Sequence, residues 1–264
     1  MRVLHVWNTA GVASVIAKYQ ARILKWETWV VTRLGHDPFS LTYYGEALKT
    51  SSLGFFSKVI WISRGYDLVH VHSLDKMVPL IKTLYPAKPV ILHYHGSEIR
   101  DKWEKRKKYW LKADVIMVST RDLLEGAPQH VIYLPNPVDT EFFRPMPHLR
   151  RTNTALYIYD PLNPILSRDL KWAREAANRY NLCLIIHNRR KNPVKHKDMP
   201  IFINKFEYLI DRKSVNSLSK TALEALACGL KVIRWDGKIV TGLPEDHRPE
   251  YVIKRLYKIY NSVT

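Results

Sequence analysis

Short apolar runs alternate with segments of helical length along nearly the whole chain, and this alternation restricts the possible folds more than any other feature. Most of the runs are apolar on both faces, which is typical of parallel strands covered by helices on each side of a sheet. A helix is predicted at 14–26, between the first two runs. The pattern indicates successive βαβ units. The predicted strands of this first series are 2–7, 28–32, 67–72, 89–95, 114–119 and 130–135.

The same alternation restarts after a stretch rich in proline. Several prolines lie between residues 135 and 147, and two arginines follow them, so we predict a linker at 144–153. In the second series, helices are predicted at 170–181 and 220–229. The chain therefore contains two α/β series. The predicted strands of the second are 155–160, 182–187, 200–203 and 230–235.

This organisation predicts an α/β protein with two Rossmann-like, parallel-sheet domains that face each other across a cleft. Such a cleft is the default ligand site in folds of this kind. The predicted domains are 1–145 and 146–248. Apolar side chains recur at helical spacing in 249–263, which indicates an amphipathic helix. We expect this final segment, 249–264, to return to the N-terminal domain.

Charge and cysteine content restrict the partners and the compartment. The 42 Lys and Arg residues outnumber the 24 Asp and Glu residues, and the formal net charge of +18 attracts phosphates, nucleic acid or an anionic membrane. The two cysteines, Cys183 and Cys228, both lie in apolar runs, so we interpret them as buried thiols in a reducing compartment. No apolar run approaches the ~20 residues that cross a bilayer. We expect a cytoplasmic protein, with peripheral binding at the inner face of the membrane as an open alternative.

Two stretches of sequence are similar to those of a known enzyme family. The segment 113–145 contains ADVIMVSTRDLLEG and VIYLPNPVDTEFFRP, and the segment 223–233 reads LEALACGLKVI. Both resemble the glycosyltransferase family 4 enzymes, which are retaining enzymes of the GT-B fold. The resemblance implies transfer of a sugar from a UDP- or GDP-linked donor, without a metal or other cofactor, to an acceptor such as a lipid-linked saccharide. It places the acceptor on the N-terminal domain and the nucleotide-sugar on the second domain.

The resemblance gives Glu224 the role of the second glutamate in an E-x7-E motif, which accepts hydrogen bonds from the ribose hydroxyls. The helix start at Ser219, Lys220 and Thr221 would then direct backbone N–H groups at the diphosphate. A structural alternative stays open, because TALE also fits a capping box. In that case Thr221 is the N-cap and Glu224 reaches back to its backbone.

Other positions depart from the family pattern. Asn216 replaces the first glutamate of the motif, the residue that contacts the transferred sugar. Asp160 lies near the expected diphosphate arginine, and Arg168 lies near the expected lysine, so only Arg168 is predicted to bind phosphate. Gly11 is what remains of a glycine-rich loop after the first strand, where the backbone approaches a ligand. The alternative is that the strand-to-helix turn itself requires this glycine, as in many proteins, without any ligand.

Histidines lie at the ends of two predicted strands. His95 falls where the family has a histidine near the sugar or the acceptor, and we predict a catalytic role for it together with Asn216. His93 is interpreted as a core histidine, whereas His70 and His72 are interpreted as residues on a polar face of their strand. We predict no metal site, because no cysteine or aspartate joins these histidines at ligand spacing.

A basic segment at 101–114 combines lysines with tryptophans. Trp103 and Trp110 are seven residues apart and therefore share one helix face. A basic helix with exposed tryptophans suits an anionic membrane surface. The alternative is that Trp110 packs inside while the lysines are solvated. A second basic segment, 188–197, faces the donor diphosphate or is exposed. The residues predicted to bind a membrane or acceptor are Lys102, Trp103, Lys105, Arg106, Lys107, Lys108 and Trp110.

Two other functions stay open alongside the glycosyltransferase. A nucleotide-sugar epimerase on the same fold would turn over the donor alone, but it needs a base for proton abstraction. A non-catalytic protein that binds nucleotides or nucleic acid would explain Asn216 and the missing diphosphate arginine. The basic residues match no known nucleic-acid motif, so we expect no specific nucleic-acid partner.

Overall fold

The computed structural model describes all residues from Met1 to Thr264. The chain divides into two units, the first consisting of Met1–Pro137 with Pro249–Thr264 and the second of Val138–Arg248. Each unit is built around its own mainly parallel sheet. The predicted α/β class with two Rossmann-like domains is therefore confirmed. The division after Pro137 lies earlier in the chain than the predicted boundary after residue 145.

Twelve strands and nine helices make up the two units. The helices predicted at 14–26, 170–181 and 220–229 are observed at Val12–Leu24, Leu170–Arg179 and Lys220–Ala227. The strands are β1 (Arg2–Val6), β2 (Glu27–Arg33), β3 (Glu46–Leu48), β4 (Leu68–His72), β5 (Val90–Tyr94), β6 (Val115–Val118), β7 (Ile132–Tyr133), β8 (Thr154–Tyr159), β9 (Cys183–Asn188), β10 (Tyr208–Ile210), β11 (Lys231–Ile233) and β12 (Ile239–Val240). The helices are α1 (Val12–Leu24), α2 (Ser52–Ser63), α3 (Met77–Leu84), α4 (Trp103–Trp110), α5 (Pro164–Arg168), α6 (Leu170–Arg179), α7 (Met199–Ile203), α8 (Lys220–Ala227) and α9 (Pro249–Asn261).

The sheet of the first unit has seven parallel strands in the order β3-β2-β1-β4-β5-β6-β7. Its central strands β4 and β5 are buried along their whole length. One hydrophobic core contains residues of α2, α3 and α4, and a second contains residues of α1 and α9, so both faces of the sheet are covered. The strand order reverses beside β1. The carboxyl ends of the strands at such a reversal are where these folds bind ligands.

Helix α9 belongs to the first unit although it is the last element of the chain. Its apolar side chains at Val252, Ile253 and Leu256 are buried together with residues of α1. The ring of Tyr260 stacks on Trp26 with the ring centroids 5.8 Å apart. Full burial of each such aliphatic side chain contributes about 1.5–3 kcal/mol. The amphipathic pattern of the sequence is therefore used to cover one face of the first sheet.

The sheet of the second unit has five strands in the order β12-β11-β10-β8-β9, and only β12 is antiparallel to its neighbour. Two predictions made for this unit are wrong. The run 200–203 is part of helix α7, and the strand of this region is β10. The prediction is wrong because a four-residue apolar run has no periodicity that distinguishes a helix from a strand. Cys183 is exposed because it begins an edge strand, whereas Cys228 is buried as predicted.

No helix of the chain combines the length and the apolar character that crossing a membrane requires.

Candidate functional site

The loop between β1 and α1 has an unusual backbone conformation. Trp7 and Ala10 have positive φ angles of 74° and 53°, which are strained for residues with side chains. Gly11 also has a positive φ of 76°, and a Cβ atom there would meet Leu41 only at an ordinary distance of 3.8 Å. The backbone angle, not close packing, therefore explains this glycine. The Asn8 side chain holds the loop, because its Nδ2 donates to Ser14 Oγ at 3.0 Å.

Glu98 connects the loops that follow the central strands of the first sheet. Its Oε1 accepts hydrogen bonds from Ser73 Oγ at 2.8 Å, from Gly96 N at 2.9 Å and from the backbone N of His95. Thr9 Oγ1 in turn donates to Ser73 Oγ at 2.9 Å. Glu98 is not among the site residues predicted from the sequence. Its position four residues after the last residue of β5, within HYHGSE, was the available signal.

His95 lies at this edge of the first sheet and is half-buried. Its Nδ1 is 3.2 Å from Asn136 Oδ1, and its Nε2 is 3.0 Å from His72 Nδ1. Burial lowers the pKa of His95 to about 4, although the Glu98 carboxylate and the hydrogen bond with Asn136 oppose this shift. The ring is therefore neutral near neutral pH and can both donate and accept a hydrogen bond.

The two histidines of β4 are more deeply buried than the sequence suggested. His70 and His72 are fully buried, so their assignment to a polar strand face is wrong. The reason is that β4 is a central strand with helices over both of its faces. His93 is fully buried, as predicted.

The first sheet brings these histidines close enough to share an ion. Ring nitrogens lie within 4.8 Å of one another in two groups, the first formed by His5, His70 and His72 and the second by His72, His93 and His95. The sequence argument against a metal site considered spacing along the chain. It missed His5, which the parallel pairing of β1 with β4 brings beside His70.

In the second unit, helix α8 positions Glu224. Ser219 is the N-cap of this helix, and its Oγ accepts a hydrogen bond from Ala222 N at 3.0 Å. The capping box with Thr221 as N-cap is therefore wrong. Glu224 is buried in the second turn of the helix, where its Oε1 accepts a 2.8 Å hydrogen bond from Lys220 Nζ. This ion pair holds a carboxylate inside the unit, one turn away from the helix start.

The start of α8 is a polar site with mixed charge. The helix dipole and its first N–H groups favour an anion at Ser219, Lys220 and Thr221. Ser219 N already donates to Asp211 Oδ2 at 2.8 Å. Asp211 is buried and directly follows β10. The helix start therefore presents its remaining N–H donors beside a carboxylate.

The carboxyl ends of β8 and β9 bring one acidic and two basic residues together. Asp160 Oδ2 accepts from Arg189 Nε at 2.6 Å, and Asp160 Oδ1 accepts from Arg190 Nε at 3.0 Å. Burial acts to raise the pKa of Asp160, but hydrogen bonds from Arg190, the Leu162 backbone and Arg189 lower it below its usual range. Two guanidinium groups against one carboxylate leave a net positive charge at this edge.

This arrangement changes the residues expected to meet a phosphate. The sequence predicts no phosphate contact for Asp160 and does not single out Arg189 or Arg190 within the basic segment 188–197. The signal that could have found them is that Asp160 and Arg189 directly follow neighbouring parallel strands, whose ends meet at one edge. Arg168 lies in α5, is largely exposed, and its Nε donates to Ser214 Oγ at 3.2 Å.

Asn216 lies in the loop between β10 and α8 and is exposed. It belongs to the same unit as Glu224, Lys220 and Arg168, whereas His95 and Gly11 belong to the first unit.

The basic helix α4 does not present tryptophans to solvent. Trp103 is 5% exposed and Trp110 is 4% exposed, and both pack in the first core. Their indole Nε1 groups donate to the carbonyl oxygens of Leu123 and Trp103, respectively. The two rings do share one helix face, but that face points into the protein. Their predicted contact with a membrane is therefore wrong.

Arg106 of the same helix also has an internal partner. Its Nε donates to Asp75 Oδ2 at 2.7 Å, and the Asp75 side chain is fully buried. Among the predicted contact residues, the exposed ones are Lys102, Lys105, Lys107 and Lys108.

No protein-family model matches the sequence, and no curated protein matches it. Solved structures are similar over nearly the whole chain. Sucrose-phosphate synthase from Thermosynechococcus elongatus has 11% sequence identity and a TM-score of 0.55, covering 100% of this chain and 90% of that one. UDP-GlcNAc 2-epimerase from Methanocaldococcus jannaschii has 12% identity and a TM-score of 0.51, covering 97% and 92%. The S. aureus MnaA-UDP co-structure has 14% identity and a TM-score of 0.50, covering 98% and 88%.

At such low identity, these similarities establish the fold alone. They agree with the division into two α/β units that have mainly parallel sheets. The chain therefore has the GT-B fold that its sequence predicts.

Proposed function

We propose that the protein is a retaining glycosyltransferase that uses a nucleotide-diphosphate sugar, UDP- or GDP-linked, as its donor. The observation that carries this proposal is the buried Glu224 carboxylate beside Lys220 in α8, on a GT-B fold. An ionised carboxylate is the natural acceptor for two neighbouring ribose hydroxyls. Lys220 gives the buried Glu224 carboxylate a cationic partner in the absence of a ligand, as a buried charge requires.

The diphosphate is assigned to the cationic groups at the carboxyl edge of the second sheet. Ser219, Thr221 and Lys220 contribute the start of α8, and Arg168 contributes an exposed guanidinium. Arg189 and Arg190 add a net positive charge after Asp160 has been neutralised. In the transfer step, the bond between the sugar and the diphosphate breaks, and these groups stabilise the leaving phosphate without a metal.

Asn216 of the second unit is assigned to the transferred sugar, and His95 of the first unit is proposed separately to contact a sugar or acceptor hydroxyl. Asn216 offers a neutral amide to a sugar hydroxyl. Both ring nitrogens of His95 already have partners in the chain, so a hydroxyl would replace Asn136 at Nδ1. No side chain is assigned as the base. The new bond forms between the acceptor oxygen and the sugar on the face that the diphosphate leaves, and the leaving phosphate takes the acceptor proton.

The acceptor is proposed to be a lipid-linked saccharide at an anionic membrane surface, to which the first unit binds. The lysines of α4 at Lys105, Lys107 and Lys108 are exposed and suit anionic headgroups. Helix α3 packs against both α4 and α2, and α2 exposes 78% of Leu53 and 68% of Trp61. An exposed tryptophan suits the headgroup region, so Trp61 replaces the buried tryptophans as the proposed apolar contact.

An epimerase is the second candidate, and the similarity to the M. jannaschii UDP-GlcNAc 2-epimerase favours it. It would release a rearranged sugar from the donor alone. Such chemistry needs a base, and Glu98 near His95 already accepts three hydrogen bonds from the chain. Product analysis separates the two: turnover that requires an acceptor supports the transferase, whereas turnover of the donor alone supports the epimerase.

The nucleotide site is tested by a thermal-shift titration with UDP, GDP, ADP, TDP and CDP and their sugars. A ligand at about 100 times its dissociation constant stabilises the fold by about 2.7 kcal/mol. We expect a shift for UDP or GDP that disappears in Glu224→Ala. The control is Glu104→Ala, because the Glu104 side chain is 86% exposed on the first unit. No shift with any nucleotide, or an equal shift in Glu224→Ala, would contradict the site.

A further inference from the structure

Three histidines are fully buried at the centre of the first sheet. His5 lies in β1, and His70 and His72 lie in β4, where their side chains point to the same face. His5 and His70 are direct partners in the pairing of the two strands. Their ring centroids are 4.1–5.4 Å apart. This three-histidine cluster has no place in the proposed transfer of a sugar, so its presence in the core needs another explanation.

Each ring of the three-histidine cluster has one nitrogen that faces away from the other two rings. His5 Nε2 is 2.8 Å from Gln20 Oε1, and His70 Nδ1 is 2.6 Å from the Tyr260 hydroxyl. His72 Nδ1 is 3.0 Å from His95 Nε2. Every outward nitrogen therefore has a hydrogen-bond partner.

In the present orientation of the Gln20 and Asn136 amides, these partners indicate where the protons are. The oxygen of Gln20 only accepts, so His5 carries its proton on Nε2. His95 Nδ1 lies 3.2 Å from Asn136 Oδ1 and carries its proton there for the same reason. A neutral His95 then accepts at Nε2, so the proton of His72 is on Nδ1. The tyrosine hydroxyl can accept the Nδ1 proton of His70.

The inward nitrogens consequently have no proton to share. His5 Nδ1 and His72 Nε2 both present lone pairs, yet they are only 3.1 Å apart. His70 Nε2 is buried and has no hydrogen-bond partner. With the His70 proton on Nδ1, three acceptors converge within 4.8 Å, and a cation among them would satisfy all three. A proton would connect two of the nitrogens and leave the third unpaired, whereas a metal ion can bind all three.

We propose that His5 Nδ1, His70 Nε2 and His72 Nε2 bind a transition-metal ion of the class that prefers imidazole ligands. Three neutral histidines are a known ligand set for Zn²⁺, with a fourth position left for water. Metal-binding histidines typically donate their other N–H to a second partner, and Gln20, Tyr260 and His95 have that role here. The three ligands carry no charge, so the desolvation cost favours Cu⁺ over a doubly charged ion, and both metals are included in the test.

The second group of histidines is a weaker candidate. In the group of His72, His93 and His95, both ring nitrogens of His72 and of His95 are already within hydrogen-bonding distance of other groups. The group therefore does not offer three converging lone pairs.

An arrangement without a cation also exists and is the rival. If the Gln20 amide is turned, its Nε2 donates to His5, and every hydrogen bond from His5 through His72 to His95 then has a proton. The side-chain nitrogen of Gln20 and His70 Nε2 are both buried without a partner in the present orientation. After the amide is turned, His70 Nε2 still has no hydrogen-bond partner. The rival predicts that the protein binds no metal.

The test is the metal content of the full chain, purified without a polyhistidine tag from medium supplemented with zinc or with copper. After dialysis against a chelator, we expect about one metal ion per chain in elemental analysis. His70→Leu should reduce this content at least about tenfold, because it removes one of three ligands. The matched control is His93→Leu, which removes an equally buried histidine of the neighbouring strand and should keep the metal.

Cobalt substitution adds a readout on the wild-type chain, so it does not require any variant to fold. Co²⁺ bound by imidazoles gives visible absorption bands, and the wild-type chain should show them at one equivalent. A wild-type chain that holds neither zinc nor copper and shows no cobalt bands overturns the proposal and supports the turned Gln20 amide. Loss of metal in His93→Leu but not in His70→Leu overturns the assignment of ligands. None of these readouts depends on nucleotide binding or sugar transfer.

Discussion

At the scale of single residues, Glu224 and Lys220 show how a buried charge is kept in this protein. Their side chains are each only 9% exposed, and the 2.8 Å contact lies within one helix. Taking two charges out of water is costly, and their attraction offsets this cost only while both are present. The same reasoning applies to Asp160, whose fully buried carboxylate has two arginine partners. Such pairs hold charged groups at defined positions inside the second unit.

We expect Lys220→Met to destabilise the protein by roughly 3 kcal/mol, because it leaves Glu224 buried without its partner. The double variant Lys220→Met, Glu224→Leu should recover most of this loss, since an apolar pair of similar volume requires no ion pairing. Urea denaturation measures both. The control is Lys171→Met in α6, whose side chain is 89% exposed. Equal stability of Lys220→Met and Lys171→Met would show that the buried ion pair contributes nothing.

At the scale of elements, α4 shows that a sequence pattern can place two side chains on one helix face without indicating whether that face points to the core or to solvent. The seven-residue spacing of Trp103 and Trp110 correctly places both rings on one side of the helix. Burial of two indoles in the core stabilises the fold, whereas burial of the lysine charges would cost free energy, so the tryptophans turn inward. The lysines then form the outer face. A membrane contact made by α4 therefore depends on charge.

We expect the protein to sediment with vesicles that contain phosphatidylglycerol and not with vesicles of phosphatidylcholine alone. The double variant Lys105→Glu, Lys108→Glu should weaken this binding at least about tenfold, because each lysine near an anionic surface contributes about 1 kcal/mol. The matched control is Lys171→Glu, Lys197→Glu, two exposed lysines of the second unit. An equal loss of vesicle binding in both double variants would show that the overall net charge of +18, and not α4, accounts for the binding.

At the scale of the whole molecule, the distribution of histidines makes stability depend on pH. Burial lowers the pKa of His5 and of His95 to about 4, although the hydrogen bond of His5 with Gln20 and the charge of Glu98 near His95 act in the opposite direction. The unfolded chain therefore binds more protons than the folded chain between the usual pKa of 6.5 and about 4. The stability that these neutral rings provide is present above pH 6.5 and is lost as the pH falls through this window.

We expect the free energy of unfolding to fall by about 1 to 2 kcal/mol for each such histidine between about pH 7 and about pH 5. Denaturation by urea at the two pH values, followed by tryptophan fluorescence, measures the difference. His95→Gln should reduce the pH dependence, whereas His130→Gln should leave it unchanged because His130 is exposed. A free energy of unfolding that is constant over this range would contradict the neutral, buried state of these rings.

Most of the fold could be predicted from the sequence, because runs that are apolar on both faces and separated by helical segments allow few arrangements other than βαβ units. The wrong strand prediction at 200–203 shows the limit of this reasoning. A short apolar run has no period of its own, and Pro200 is as compatible with a helix start as with a loop. Strand β10 at Tyr208–Ile210 was missed for the same reason, since only its pairing with β8 and β11 identifies it.

The sequence by itself determined the α/β class, the division into two series, the amphipathic character of α9 and the helix that carries Glu224. These follow from local periodicity and from start and stop signals, which are properties of neighbouring residues. Only the tertiary structure decided which residues meet across strands: Asp160 with Arg189 and Arg190, Glu98 with Ser73, and His5 with His70 and His72. Such contacts join residues far apart in the chain, and their chemistry depends on strand order, register and burial, which no local pattern records.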